Sequence, residues 1–164
     1  MSTAKEILHA SEASITPERT VSVDVAQSVD DVVELMLKKD VGLVLVVEQG
    51  GTYVGVVTQK RALQELHHHG SQIPRETAMA LADAQYPTVT GDSDAGSIAA
   101  TMIEHGVRKL PVVDSGELVG LVTDADVARH LSDTASAGFL RELWRRRGRE
   151  TDDTGPKYTG EDAL

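Results

Sequence analysis

Thr123 and Asp126 stand three positions apart, where the apolar run Gly120-Leu-Val-Thr123 gives way to the helix-like stretch Asp124-Ala-Asp-Val-Ala-Arg129. A threonine capping a helix leaves the N–H groups of the first turn pointing outward, which suits a phosphate. A carboxylate three residues on can accept both hydroxyls of a ribose. The same Thr-x-x-Asp spacing approximates a capping box, in which the two side chains satisfy free backbone N–H groups and no ligand is needed. Local sequence leaves both roles open. Thr58-Gln-Lys-Arg61 is the comparable stretch earlier in the chain, with Arg61 in the place of the aspartate. Lys60 and Arg61 put two cations in a first helical turn, against the macrodipole, at a cost of roughly 0.3–1 kcal/mol per charge. They either face the phosphates of a ligand or are solvated surface cations.

Other residue types that could do chemistry point nowhere in particular. Three adjacent histidines, His67 to His69, cannot all face one ion, and neither a cysteine nor a nearby carboxylate pair completes a site, so no functional metal centre is expected. His9, His105 and His130 are scattered. The chain has no cysteine, which excludes disulfides, zinc ribbons, iron–sulfur clusters and thiol catalysis. No Gly-x-Ser-x-Gly, Walker loop or His-Glu-x-x-His run occurs, and no catalytic residues are expected.

These stretches must be held by a fold of 164 residues in which 40% are apolar but only five are aromatic, so the core rests on Val, Leu, Ile, Ala and Met. Sixteen Lys and Arg against 26 Asp and Glu give a charge of −10, which argues against nucleic acid or anionic lipid as a partner without a local basic patch. The longest apolar stretch, Val41 to Val47, is far too short to span a membrane, and the first residues lack a signal-peptide apolar region, so a cytoplasmic protein is expected.

An internal repeat organises the chain. Val29, Val32, Val33, Met36 and Leu37 form one helical stripe, and 66 positions later Ala95, Ile98, Ala99, Met102 and Ile103 repeat it. Ser28 and Asp94 fall at the two N-caps. Leu43 to Val47 matches Lys109 to Val113, Gly50 matches Gly116, and after one extra residue Thr52 to Thr58 matches Glu117 to Thr123. Ala62, Leu63 and Leu66 then match Val127, Ala128 and Leu131. Short strands are expected at Thr20 to Asp24 and Pro87 to Thr90, and short helices at Ala4 to His9 and Arg75 to Ala82. Each copy thus reads strand, helix, strand, strand, helix. One such unit cannot bury its sheet alone, and an α+β pair with approximate two-fold symmetry can.

The second copy, Val107-Arg-Lys-Leu-Pro-Val-Val-Asp114 followed by Gly120-Leu-Val-Thr-Asp-Ala-Asp126, resembles the cystathionine β-synthase (CBS) domain, and the two copies together resemble a stand-alone tandem CBS pair. The resemblance covers roughly residues 4 to 132. It implies two βαββα repeats meeting at a cleft that takes an adenosyl ligand: AMP, ADP, ATP or S-adenosylmethionine. It also implies a homodimer that regulates an unidentified protein and does not catalyse. On this resemblance Asp126 takes the ribose, Thr123 lies near ribose and phosphate, and the adenine sits on Val107, Leu110, Pro111, Thr88 and Val89, with Arg108 beside them. In the first copy Thr58, Lys60 and Arg61 are the corresponding positions. There Arg61, Gly42 and Leu45 replace the ribose aspartate, Arg108 and Pro111, so that site is expected to bind adenosine poorly.

The expected organisation is a first repeat with its N-terminal helix over 1–67, a linker with a short helix over 68–85, and a second repeat over 86–132. A C-terminal helix over 133–149 and a disordered acidic tail over 150–164 follow. In that helix Leu140, Leu143 and Trp144 make one apolar face, and Arg141, Arg145, Arg146, Arg147 and Arg149 are clustered. It is expected to cap the module through Trp144 or pack across a dimer. The competing functions are a scaffold that has lost its ligand, and an accessory protein docking RNA, DNA or an acidic partner through the arginines.

Overall fold

The computed structural model describes residues 2–10, 21–70 and 76–152. Along them run α1 (Ala4–Ala10), β1 (Ser22–Asp24), α2 (Val29–Lys39), β2 (Leu43–Val47), β3 (Tyr53–Thr58) and α3 (Gln59–His69). They continue with α4 (Ala78–Leu81), α5 (Ala95–His105), β4 (Lys109–Asp114), β5 (Glu117–Thr123), α6 (Asp124–Arg129) and α7 (Asp133–Asp152). Thr20, Arg75 and residues 153–164, about which the sequence raised expectations, lie outside the described residues.

α2 and α5 start where their caps predict. Ser28 Oγ accepts from Asp31 N–H at 3.1 Å while Asp31 returns a carboxylate oxygen to Ser28 N–H at 3.2 Å, a full capping box. Asp94 accepts from Ser97 N–H at 2.8 Å at the head of α5.

In the first repeat β1 pairs parallel with β2, and β2 antiparallel with β3. In the second, β4 and β5 are antiparallel, and the register shifts at Val112/Val113 as it does 66 positions earlier at Val46/Val47. The strand expected at Pro87 to Thr90 is cut to a single parallel bridge, Val89 with Val112. Pro87 has no N–H to give the ladder, and the turn at Gly91 follows at once.

The sheets meet edge and face. Tyr53 N–H donates to Gly116 O at 2.8 Å and Leu118 N–H to Gly51 O at 3.0 Å. Leu45, Val56 and Leu121 are buried between them, and Val56 and Leu121 are equivalent positions of the two repeats meeting at the pseudo-two-fold axis. Each repeat has its own helical core beneath its sheet. The short helices are exchanged between these cores. α1 precedes the first repeat yet buries Ala4, Ile7 and Leu8 in the second, and α4 precedes the second yet buries Ala78 and Leu81 in the first.

α7 packs on α5 and α6 through Phe139 and Leu143, 5% and 1% exposed, with Leu140 partly buried. Trp144, expected to cap the module, is 64% exposed. Leu140 and Leu143 face inward as the sequence suggested, and Phe139, one turn before Leu143, completes that face in place of Trp144.

Candidate functional site

Thr123 and Asp126 form the capping box at the head of α6. Thr123 Oγ1 accepts from Asp126 N–H at 3.2 Å, and Asp126 Oδ2 accepts from Thr123 N–H at 3.1 Å and from its hydroxyl at 2.8 Å. Asp126 is 3% exposed, with Arg129 Nη1 3.4 Å from its other oxygen. Thr58 makes only half of this arrangement, because Arg61 at the matching position has no oxygen to return. Thr58 Oγ1 accepts from Arg61 N–H at 3.2 Å, and the Arg61 guanidinium lies along α3 with Nη1 2.9 Å from Glu65 Oε2.

Between the repeats lies a cleft of about 710 Å³. The second repeat contributes Val107, Arg108, Thr123 and Asp124, and the first contributes Leu43, Thr58 and Lys60. Five of the residues singled out in the sequence therefore share one wall or the other: Val107, Arg108, Thr123, Thr58 and Lys60. Arg61 lines a smaller pocket of about 350 Å³ beside α4, to which Thr58 and Lys60 also contribute.

The remaining expected contacts are not brought to the cleft wall. Leu110 is fully buried and Val89 is 7% exposed, both within the helical core of the second repeat. Strand alternation explains this, since Leu110 and Val112 must share a face and that face is the core. Pro111 and Asp126 are buried, Thr88 is exposed, and none of the three lines the cleft.

Two cleft residues carried no sequence signal strong enough to single them out. Asp124, 6% exposed, accepts from Arg108 Nε at 2.6 Å and so holds the arginine at the mouth. Tyr86 donates its hydroxyl to Lys109 O at 2.9 Å, and burial, with Asp83 nearby, pushes its phenol up to about 12, so it stays a neutral donor. Its position between the linker and Pro87, in a chain with three tyrosines, was the available hint.

The expectation that no carboxylate pair accompanies the histidine run is corrected by the fold. Glu65 and Glu76 both approach His69, one from the preceding turn of α3 and the other from the chain entering α4.

The model of the CBS domain family matches residues 10–68 and 79–133. The chain belongs to the CBS domain family and carries two such repeats. Hypoxic response protein 1 of Mycobacterium tuberculosis is 26% identical over 143 residues, 87% of this chain and 94% of that protein. The CBS domain-containing protein YhcV of Bacillus subtilis is 28% identical over 140 residues, 84% of this chain and 91% of that one. Among solved structures, Hypoxic Response Protein I with two coordinated zinc ions superposes with a TM-score of 0.67 at 26% identity, covering 80% of this chain and all of that one. CBSX2, a CBS-pair protein from Arabidopsis thaliana, in complex with AMP gives a TM-score of 0.65 at 27% identity, covering 79% and 96%. No helix among the described residues is long and apolar enough to cross a membrane.

Proposed function

We propose that this chain is a regulatory module that binds an adenosyl nucleotide in the cleft between its repeats and signals its presence to a protein partner, without catalysing a reaction. The observation that carries the proposal is the cleft itself. A space of about 710 Å³ is bordered by the capped start of α6 at Thr123 and by the cations Arg108 and Lys60 from opposite repeats. The two cations suit phosphate, and the apolar Val107 and Leu43 suit a base. The AMP found in CBSX2, a structural neighbour, supports an adenosyl ligand of the AMP, ADP, ATP or S-adenosylmethionine kind. Asp126 reaches a ribose only by exchanging a cap bond for it, so ligand binding and the start of α6 are coupled in this proposal.

A homodimer is part of the proposal. Leu37 and Leu63 on α2 and α3 are 78% and 57% exposed. Their equivalents Ile103 and Ala128 on α5 and α6 are partly buried in the core to which α7 contributes. The first repeat lacks such a covering helix among the described residues, and a second copy would supply the cover.

The test is thermal unfolding with AMP, ADP, ATP and S-adenosylmethionine in turn, beside an Asp126→Ala variant. A ligand at about 100 times its dissociation constant stabilises the native state by roughly 2.7 kcal/mol, several degrees for a domain of this size. A rise with one of these compounds that is lost in the variant is expected. No rise with any of them would leave Thr123 and Asp126 as a helix cap alone.

A further inference from the structure

Glu65, His69 and Glu76 bring three ligand atoms to one point at the end of α3. Glu65 and His69 are four residues apart and so lie on one helix face. His69 Nε2 is 2.9 Å from Glu65 Oε1 and 3.3 Å from Glu76 Oε2, and the three ligand atoms all lie within 4.8 Å of one another. The Glu65 side chain is 12%, the His69 side chain 29% and the Glu76 side chain 37% exposed, so the cluster is sheltered on the α3 side and open at Glu76. Arg61 occupies the other Glu65 oxygen at 2.9 Å, which fixes the carboxylate with Oε1 aimed at the imidazole.

One ring nitrogen can place one proton among these atoms. Glu65 Oε1 receives it at the shorter distance, and Glu76 Oε2 is left buried, accepting no hydrogen bond among the described residues. A carboxylate oxygen withdrawn from water without a donor is costly. A divalent cation in place of the shared proton would accept a lone pair from all three atoms.

The dimensions fit. Metal–ligand bonds of about 2.0–2.2 Å in a tetrahedron set ligand atoms roughly 3.3–3.6 Å apart. The separations from Nε2, 2.9 and 3.3 Å, lie near that spacing, and the remaining pair is within 4.8 Å. One imidazole nitrogen and two carboxylate oxygens match a borderline ion of the zinc class better than a soft ion that prefers sulfur. Three protein ligands leave a fourth position for water. His67 and His68 are exposed and point from other faces of α3.

We propose that Glu65, His69 and Glu76 form a binding site for a zinc-class divalent cation, which clasps the end of α3 to the chain entering α4. The site is separate from the nucleotide cleft and does not depend on it.

The test uses the untagged full chain, freed of metal by a chelator, titrated with zinc sulfate by calorimetry and with cobalt(II) by visible absorption. One ion per chain is expected, with cobalt d–d bands of a low-coordinate site and a zinc-dependent rise in thermal midpoint. Glu76→Gln preserves side-chain shape and should weaken zinc by about tenfold or more. The double variant His67→Ala with His68→Ala should bind as the parent does. Circular dichroism and the metal-free thermal midpoint establish that each variant is folded. Zinc binding unchanged in Glu76→Gln, or lost in the double variant, would overturn the site and assign any metal to the exposed histidine run. No binding by the folded parent would overturn it as well.

Discussion

Arg108 and Asp124 hold each other twice. Arg108 Nε donates to Asp124 Oδ2 at 2.6 Å, and Asp124 N–H donates to the Arg108 carbonyl at 2.9 Å. The approach to β4 is thereby tied to the head of α6 at the mouth of the cleft. In the first repeat the equivalent residues are Gly42 and Gln59, and the backbone half survives as Gln59 N–H to Gly42 O at 2.8 Å. The side-chain half is gone. The second repeat therefore carries the more rigid wall.

Arg108→Ala removes the donor from a buried carboxylate oxygen, although Ala125 N–H still serves Asp124 Oδ1. A loss of about 1–3 kcal/mol in urea unfolding is expected, together with weaker nucleotide binding by calorimetry. Arg108→Lys should recover only part of either, because the bond is made from Nε, and a lysine ammonium stands one atom farther along the side chain.

Gly55 is a second sensitive point. A Cβ there would lie 2.7 Å from Asp83 O, a backbone atom that cannot swing aside. Asp83 and Val56 exchange backbone hydrogen bonds, so the clash would push the chain leaving α4 off β3. Gly55→Ala should cost on the order of 1–3 kcal/mol. Gly42→Ala, whose Cβ meets Gln59 Oε1 at 3.5 Å, serves as the control and should leave the unfolding midpoint nearly unchanged.

The seam that binds α1 to the second repeat is sensitive to acid. Glu6, Asp94 and Asp114 all lie below the usual carboxylate range, chiefly because they accept N–H groups of Thr3, Ser97 and Gly91 respectively. Lys5, 2.9 Å from Asp114, lowers that group further. Folded values below the unfolded ones mean that the stabilisation is complete above the unfolded range of about 3.9–4.3 and is lost as pH falls through the folded values. Urea midpoints should hold steady from neutral pH to about pH 5 and decline below about pH 4. Asp114→Asn should make that decline shallower, and an equally steep one would show that these groups do not govern it.

Leu37 and Leu63 test the dimer. Replacing both by Asp puts charge on the face that a second copy would cover, and sedimentation should then report a monomer. If the parent sediments as a monomer at micromolar concentrations, this face has another role.

Much of the molecule was legible in its sequence because the relevant forces act locally. The stripe from Val29 to Leu37 and its copy from Ala95 to Ile103 encode helices through a period of 3.6, and Ser28, Asp94 and Thr123 cap them within a single turn. The matched strands and glycines conveyed the duplication, and a half that cannot bury its own sheet implied the pairing. The cleft was legible in part for the same reason. Thr123, Thr58 and Lys60 adjoin strand ends that any such pairing turns toward the cleft.

What the tertiary structure alone decided are contacts between segments distant along the chain, which no periodicity records. The exchange of Ala4 and Ala78 into each other's repeats is one such contact. The phase of α7, burying Phe139 in place of Trp144, depends on the shape of the surface that α5 and α6 present. Arg61, which by sequence could face phosphates or be a solvated cation, is held by Glu65. Sequence does not separate His69 from His67 and His68, and the chain entering α4 does so by bringing Glu76 within 3.3 Å of its ring. Sequence by itself determined the elements and the repeat, because those follow from local backbone chemistry and side-chain alternation. Packing determined which charged groups meet, because partners are chosen by distances that close only when the chain has folded.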